Sequence, residues 1–299
     1  MDLSDYPALY RAAEDASMGG QKTYKRLVRA DLTLVVLGAT LGALAFLVPT
    51  SYAAYFAAVA AIVLLGSIVA KYVNKQRADD KEWFDGRAVA ESVKTLTWRY
   101  MMRLEPFDEN ATSDQKFIEE LDAIREARSG LQYRVGSQDD SAEQITSRMR
   151  EVRQMPVEER RELYVKERLE DQARWYGKKS EDNRRLASRL FWAALVAQFV
   201  ALALAVWRVA VPFAGLSLVG PLLALAAAFT AWTQLGRNDE LRQSYALANQ
   251  ELLSIKALAS TVDNEQQLAK IVSDGEGAIS REHTMWIAKR GKPLPQQAS

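Results

Sequence analysis

The stretch LTLVVLGATLGALAFLVPTSYAAYFAAVAAIVLLGSIVA, residues 32–70, has 39 residues and not one Asp, Glu, Lys, Arg or His. A helix crosses about 30 Å of hydrocarbon with about 20 apolar residues, so this run is long enough for two spans. Pro49-Thr50-Ser51 supplies a turn near its middle. The pattern predicts spans over 31–48 and 53–72, closed into a hairpin that is not a cleaved leader. Two further charge-free runs, Leu190 to Trp207 and Val209 to Gly236, predict spans over 188–207 and 216–235, with a turn at 208–215 around Pro212. Core helices of soluble proteins rarely run this far without a charge on any face. The expected fold class is an all-α integral membrane protein with four transmembrane helices and a large cytoplasmic helical bundle.

Whole-chain averages hide this segregation. The chain is 48% hydrophobic and 26% charged with a net charge of +1, which taken alone describes an ordinary soluble protein. The near-neutral balance argues against nucleic acid as a partner and against a highly charged disordered chain. Cysteine is absent, which excludes a disulfide framework, a thiolate zinc site and a Cys nucleophile. His283 is the only histidine. Glu282 and His283 are adjacent, so they diverge by about 100° around a helix and cannot chelate one ion together. No Walker or Rossmann glycine pattern occurs. A non-enzyme is expected, with no catalytic residue, cofactor or metal.

The flanks set the orientation. Lys22, Lys25, Arg26 and Arg29 precede the first span, and Lys71, Lys75, Arg77 and Lys81 follow the second. Lys178, Lys179, Arg184, Arg185 and Arg189 precede the third, and Arg237 and Arg242 follow the fourth. The hairpin turns carry only Arg208. The positive-inside rule therefore predicts both termini and the central region in the cytoplasm. Tyr52, Tyr55 and Trp207 fall at the outer interface, and Tyr72, Trp192 and Trp232 at the inner one. The basic clusters also suit contact with anionic lipid.

Most of the chain lies outside the spans and reads as helical. Trp83, Gly86, Ala90, Val93, Thr97, Tyr100 and Leu104 step by alternating 3 and 4, and so do Leu241, Tyr245, Ala248, Leu252, Ile255, Ala259 and Val262. That spacing is the seam of a coiled coil or a tight bundle. It predicts helices near 73–105 and 237–262 that continue the spans. Shorter helices are expected over 114–128, 141–154 and 157–186, punctuated by Pro106, Ser129-Gly130, Gly136 to Asp140 and Pro156. The tail 291–299 is expected to be disordered. Gln21-x-x-Tyr24 and Gln172-x-x-Trp175 stand before the two hairpins, 151 positions apart. The chain thus reads as a diverged repeat of one topology, related by an axis along the membrane normal.

No span carries an ionisable residue in its interior, which argues against a proton relay or voltage sensor. Thr33, Thr40, Ser67, Gln198, Ser217 and Thr230 are the mildly polar groups. Gln198, near the middle of the third span, is a candidate for an interhelical hydrogen bond or for pore lining. Gly38-x-x-x-Gly42 lets another helix approach closely, within the chain or between copies. Four apolar spans offer one chain no aqueous path, so a homo-oligomer is expected.

Tyr164-x-x-x-Arg168-x-x-Asp171-Gln172-x-x-Trp175-Tyr176-x-x-Lys179-Ser180 leads into the third span, and Trp232-x-Gln234 closes the fourth. Ser244-Tyr245-x-x-Ala248-x-x-Glu251-Leu252 follows, then Glu276-x-x-Ile279-Ser280-Arg281-Glu282-His283-Thr284-x-Trp286-x-Ala288. These words resemble the SLATT family, the two-transmembrane effector domains associated with SMODS nucleotidyltransferases and SLOG proteins. Trp83-x-x-x-Arg87-Ala88-x-Ala90-Glu91-Ser92-x-Lys94-Thr95-x-Thr97-Trp98-Arg99 resembles a second class of that family. The resemblance implies fused domains at 1–135 and 155–290, with a helical linker at 136–154. It implies a pore-forming or membrane-permeabilising effector in anti-phage defence, triggered by a separate sensor protein or a nucleotide second messenger. The alternative is a non-catalytic membrane scaffold that recruits a partner through its helices. Trp83, Arg87, Glu91, Trp98, Gln172, Trp175, Tyr176, Tyr245, Glu251, Glu282 and Trp286 are the positions the resemblance singles out, with helix packing as their expected role.

Overall fold

A computed structural model describes residues 1–127, 143–211 and 218–288, the side chains of 282–288 excepted. Among the described residues every regular element is helical. In chain order, after a short 3-10 turn at Leu3–Asp5, these are α1 (Ala8–Leu44), α2 (Thr50–Arg77), α3 (Asp79–Met101), α4 (Ser113–Ala127), α5 (Ser147–Gln154) and α6 (Val157–Tyr164). A π-helical turn at Val165–Glu170 leads into α7 (Asp171–Ala210), followed by α8 (Val219–Gly236), α9 (Asn238–Ala259) and α10 (Glu265–Ala288). Four helices are long and apolar enough to cross a membrane. The chain divides into two compact units: residues 22–79 with 181–242, and residues 1–21, 80–180 and 243–299.

The first of these units holds the apolar segments. Its helices meet through small residues, as expected where no hydrophobic force drives one apolar helix onto another. A Cβ on Gly38 would meet the Leu64 side chain at 2.6 Å, so glycine lets α1 close on α2. Ala194 and Ala197 of α7 pack with Ala226 and Phe229 of α8. The first span ends at Leu44, not at 48. Its last turn tightens, with the Phe46 N–H donating to Ala43 O at 3.3 Å and Leu47 to Leu44 O at 2.9 Å, and the residue before Pro49 is steered out of the α region. Arg208, expected in the second turn, belongs to α7, and α8 begins at Val219. Pro212 and Ser217 lie outside the described residues.

The expected exit helices, near 73–105 and 237–262, are α3 and α9, each set off from the preceding apolar helix by a single residue. Ala78 has a left-handed backbone, φ 49°, between α2 and α3, and Arg237 has φ 48° between α8 and α9. Each is followed by a buried Asp79 or Asn238 that opens the next helix. The two joints stand at equivalent points of the repeat. The left-handed residue is glycine at neither joint, although Gly236 stands directly before Arg237.

The second unit is a helical body. On α3 the stripe Gly86, Ala90, Val93, Thr97, Tyr100 is buried, with Leu104 beyond its end and Trp83 half-buried. Ala88, Val89, Leu96, Trp98 and Met101 are buried too, so α3 is enclosed on several sides and presents more than one seam. The α9 stripe Tyr245, Ala248, Leu252, Ile255, Ala259 is buried on one side only; Leu247, Leu253 and Leu258 are exposed. The helix expected at 141–154 begins at Ser147, because the Thr146 hydroxyl caps it by accepting from the Met149 N–H at 3.3 Å. Residues 128–142, with the expected punctuation there, and the tail 289–299 lie outside the described residues. The helix expected over 157–186 is interrupted by the π turn.

Candidate functional site

The π turn places Arg168, a fully buried charge of the helical body. An extra residue per turn shifts the phase of the helix, so Tyr164, Arg168 and Leu169 point inward, while Val165, expected inside, is half-buried. The Arg168 Nε and Nη2 donate to Glu276 Oε1 and Oε2 at 2.9 and 2.7 Å, a two-pronged pairing. Both side chains are buried. Thr95 Oγ1 donates to Glu276 Oε2 at 2.8 Å, and Tyr164 Oη to Glu276 Oε1 at 3.2 Å. Gly275 makes this approach possible: a Cβ there would lie 2.5 Å from Tyr164 Oη and 3.0 Å from Leu169. Burial works against the Arg168 charge, but Glu276 outweighs it and the guanidinium is held above its ordinary value. Burial, then Glu276, pushes the Tyr164 phenol well up.

Around this pair lies an aromatic and charged layer. Trp98 meets Tyr164 edge to face at 5.6 Å and donates from Nε1 to Tyr6 Oη at 3.2 Å. Burial raises the Tyr6 phenol to about 12. The Lys94 ammonium lies over the rings of Tyr6 and Tyr10 at 5.6 and 5.9 Å. Its pKa is lowered by burial and then by Arg168. Burial and then Glu91 raise the Glu14 carboxyl.

Two more buried arginines close the end of α3. Arg153 donates to the carbonyls of Tyr100 at 2.7 Å and Phe107 at 2.5 Å, and to Asn110 Oδ1 at 3.0 Å. Arg160 donates to Met102 O and Met155 O, both at 3.1 Å, and pairs with Glu265. Guanidinium groups there satisfy carbonyls that a helix end leaves open.

The positions singled out from sequence fall into separate places. Arg87 lies over the Trp175 ring at 5.3 Å and 3.7 Å from Glu91. Trp175 meets Tyr176 and Tyr245 at 5.2 and 5.4 Å. Gln172 is buried, Trp83 stacks on Phe84 at 4.6 Å, and Glu251 pairs with Arg281. The side chains of Glu282, His283 and Trp286 lie outside those described. Gly38 faces Leu64, Gly42 has nothing within 4 Å of its Cβ direction, and Gln198 is exposed. Asp31 opens the span expected over 31–48, and nothing in the sequence signals its partners. It is buried, accepts from Ser67 Oγ at 2.5 Å and lies 3.6 Å from Lys71 Nζ. Arg153, Arg160 and the Arg168–Glu276 pairing were missed as well. The only signal was an Arg beside each apolar stripe.

Chemically, a carboxylate gripped by two guanidinium nitrogens, a phenol and a hydroxyl has both its oxygens engaged. That arrangement suits holding helices in register and does not leave a base free to act. Among the described residues no three metal-type side chains gather.

A family model described as SMODS and SLOG-associating 2TM effector domain 3 matches residues 7–161, and one described as SMODS and SLOG-associating 2TM effector domain 1 matches residues 164–286. The chain belongs to the SLATT family. It carries two fused SLATT domains of different classes, and each brings two of the four apolar helices. No curated protein and no solved structure matches the chain. SLATT effector domains are associated with conflict and defence systems and are not known as catalytic folds. Within the matched limits, Thr95 and Trp98 belong to the first SLATT domain, and Tyr164, Arg168 and Glu276 to the second. The buried network is therefore a joint between the two SLATT domains.

Proposed function

We propose that this double SLATT protein is an effector of the bacterial inner membrane that permeabilises it, as a homo-oligomer, during anti-phage defence. Its termini and helical body lie in the cytoplasm in this reading. A separate sensor protein or a nucleotide second messenger provides the trigger; no cofactor, metal or nucleic acid takes part. One observation carries the reading beyond family membership. The apolar helices bury very little within one chain: Ala60 and Ser67 alone in α2, and Ala226 alone in α8. Ile62, Phe199 and Val209 are strongly exposed. Such surfaces fit lipid and further copies, and four helices of this composition enclose no polar path by themselves. A trigger works if it binds the conducting arrangement better than the closed one, by a few kcal/mol.

The test is expression in bacteria with the neighbouring genes, following membrane potential and viability during phage challenge. Collapse of the potential in infected cells is expected. Potential and viability that match an empty-vector control, with the protein present in the inner membrane, would transfer the assignment to a membrane scaffold.

A further inference from the structure

The apolar part of α7 carries two stripes that keep a heptad register, side by side. The first is Ala187, Ala194, Ala197 and Ala201, all buried, with Ala194 and Ala197 against Ala226 of the same chain. The second is Phe191, Leu195, Gln198, Leu202, Ala205 and Val209. Of these only Ala205 is partly covered; the others are exposed, Val209 to 82%. A second seam of this kind, displaced around the helix from one already in use, is the pattern of a helix with a second helical neighbour.

Gln198 says what that neighbour is. It lies at the middle of the charge-free run from Leu190 to Trp207. At about 1.5 Å per residue its amide is roughly 12 Å from either end, inside the hydrocarbon. Acyl chains offer neither donor nor acceptor, and an amide left there without a partner is costly. Among the described residues Gln198 has no hydrogen-bond partner. A carboxamide is its own complement, because it donates through nitrogen and accepts through oxygen. The same residue of a second copy completes it, as a single buried Asn fixes partner and register in a coiled coil. The competing close-approach feature is partly used within the chain, since Gly38 faces Leu64.

We propose that the Phe191-to-Val209 stripe of α7 is the contact between copies of this chain in the membrane, with the Gln198 amides of neighbouring copies hydrogen-bonded to one another. This rests on the oligomeric reading above and names its interface.

The chain has no cysteine, so one introduced thiol is the only one present. Leu195→Cys and Leu202→Cys sit on the stripe; Val196→Cys and Val200→Cys sit on other exposed faces of the same helix. Full-length protein in bacterial membranes is oxidised with copper phenanthroline. The stripe variants are expected to form disulfide-linked dimers several-fold faster than Val196→Cys and Val200→Cys. Adding Gln198→Leu should slow them several-fold, and Gln198→Asn in its place should restore them. Equal rates on all faces, only monomers, adducts with a host protein, or no response to Gln198→Leu would each overturn the proposal. So would labelling of Gln198→Cys by a charged, membrane-impermeant thiol reagent, which would place position 198 on an aqueous path. The readout is separate from ion flux. Stripe cross-links with an intact membrane potential under phage challenge would keep this interface and refute permeabilisation. Depolarisation with cross-links only through position 196 or 200 would do the reverse.

Discussion

Arg168 and Glu276 are an ion pair with almost no access to water, and the cost of such a pair depends on whether both partners are present. Arg168→Met strands a buried carboxylate and is expected to cost about 3–5 kcal/mol. Arg168→Met with Glu276→Leu removes both charges and should recover most of that loss; urea unfolding of the two variants in detergent checks the cycle. Glu14 has the opposite sense. Burial, then Glu91, raises its carboxyl against the pull of Arg87 and Lys94. The folded chain therefore holds that proton more tightly than the unfolded chain does. The stability is fully present below the ordinary carboxylate range and is lost as pH rises through the raised value. Glu14→Gln should melt above wild type at neutral pH, with the gain vanishing toward pH about 4. None of these three roles was legible in sequence. A charged residue beside an apolar stripe reads as solvated until a second element is seen to cover it.

At the scale of elements, Gly86, the residue of the first stripe without a side chain, is where α1 comes close to α3. A Cβ there would lie 2.9 Å from Ala13 O and from Ser17 N, both backbone atoms of α1. The Ser17 hydroxyl donates across the same approach to Trp83 O at 3.1 Å. Gly86→Ala must push α1 from α3 and is expected to cost about 1–3 kcal/mol, read as a lower melting temperature. Thr97, the hydroxyl-bearing residue of that stripe, is buried and donates to Val93 O at 2.8 Å. The stripes were legible because burial on one side of a helix repeats every 3.5 to 3.6 residues. The π turn and the left-handed joints at Ala78 and Arg237 were not, because good helix formers occupy them and their geometry comes from what packs around them.

For the whole molecule the testable expectation is sidedness. Lys and Arg crowd one end of both hairpins, and the turns carry only Arg208. Reporter fusions after Ser299 and at Thr50 are expected to give opposite signals, with the Ser299 fusion reporting the cytoplasm. A periplasmic reading at Ser299 would reverse the sides assigned to every element.

Four apolar segments, the all-helical class, the repeat and the family words were determined by the sequence alone. Each is a property of composition or spacing along one chain, and hydrocarbon imposes the length while the α-helix imposes the period. Only the tertiary structure decided which charges are buried, that Thr95 of one SLATT domain meets Arg168 and Glu276 of the other, and that Gln198 faces outward while Gly38 faces inward. Those facts depend on which face of each helix meets a neighbour distant in sequence, and the spacing of one helix does not encode where its partner lies.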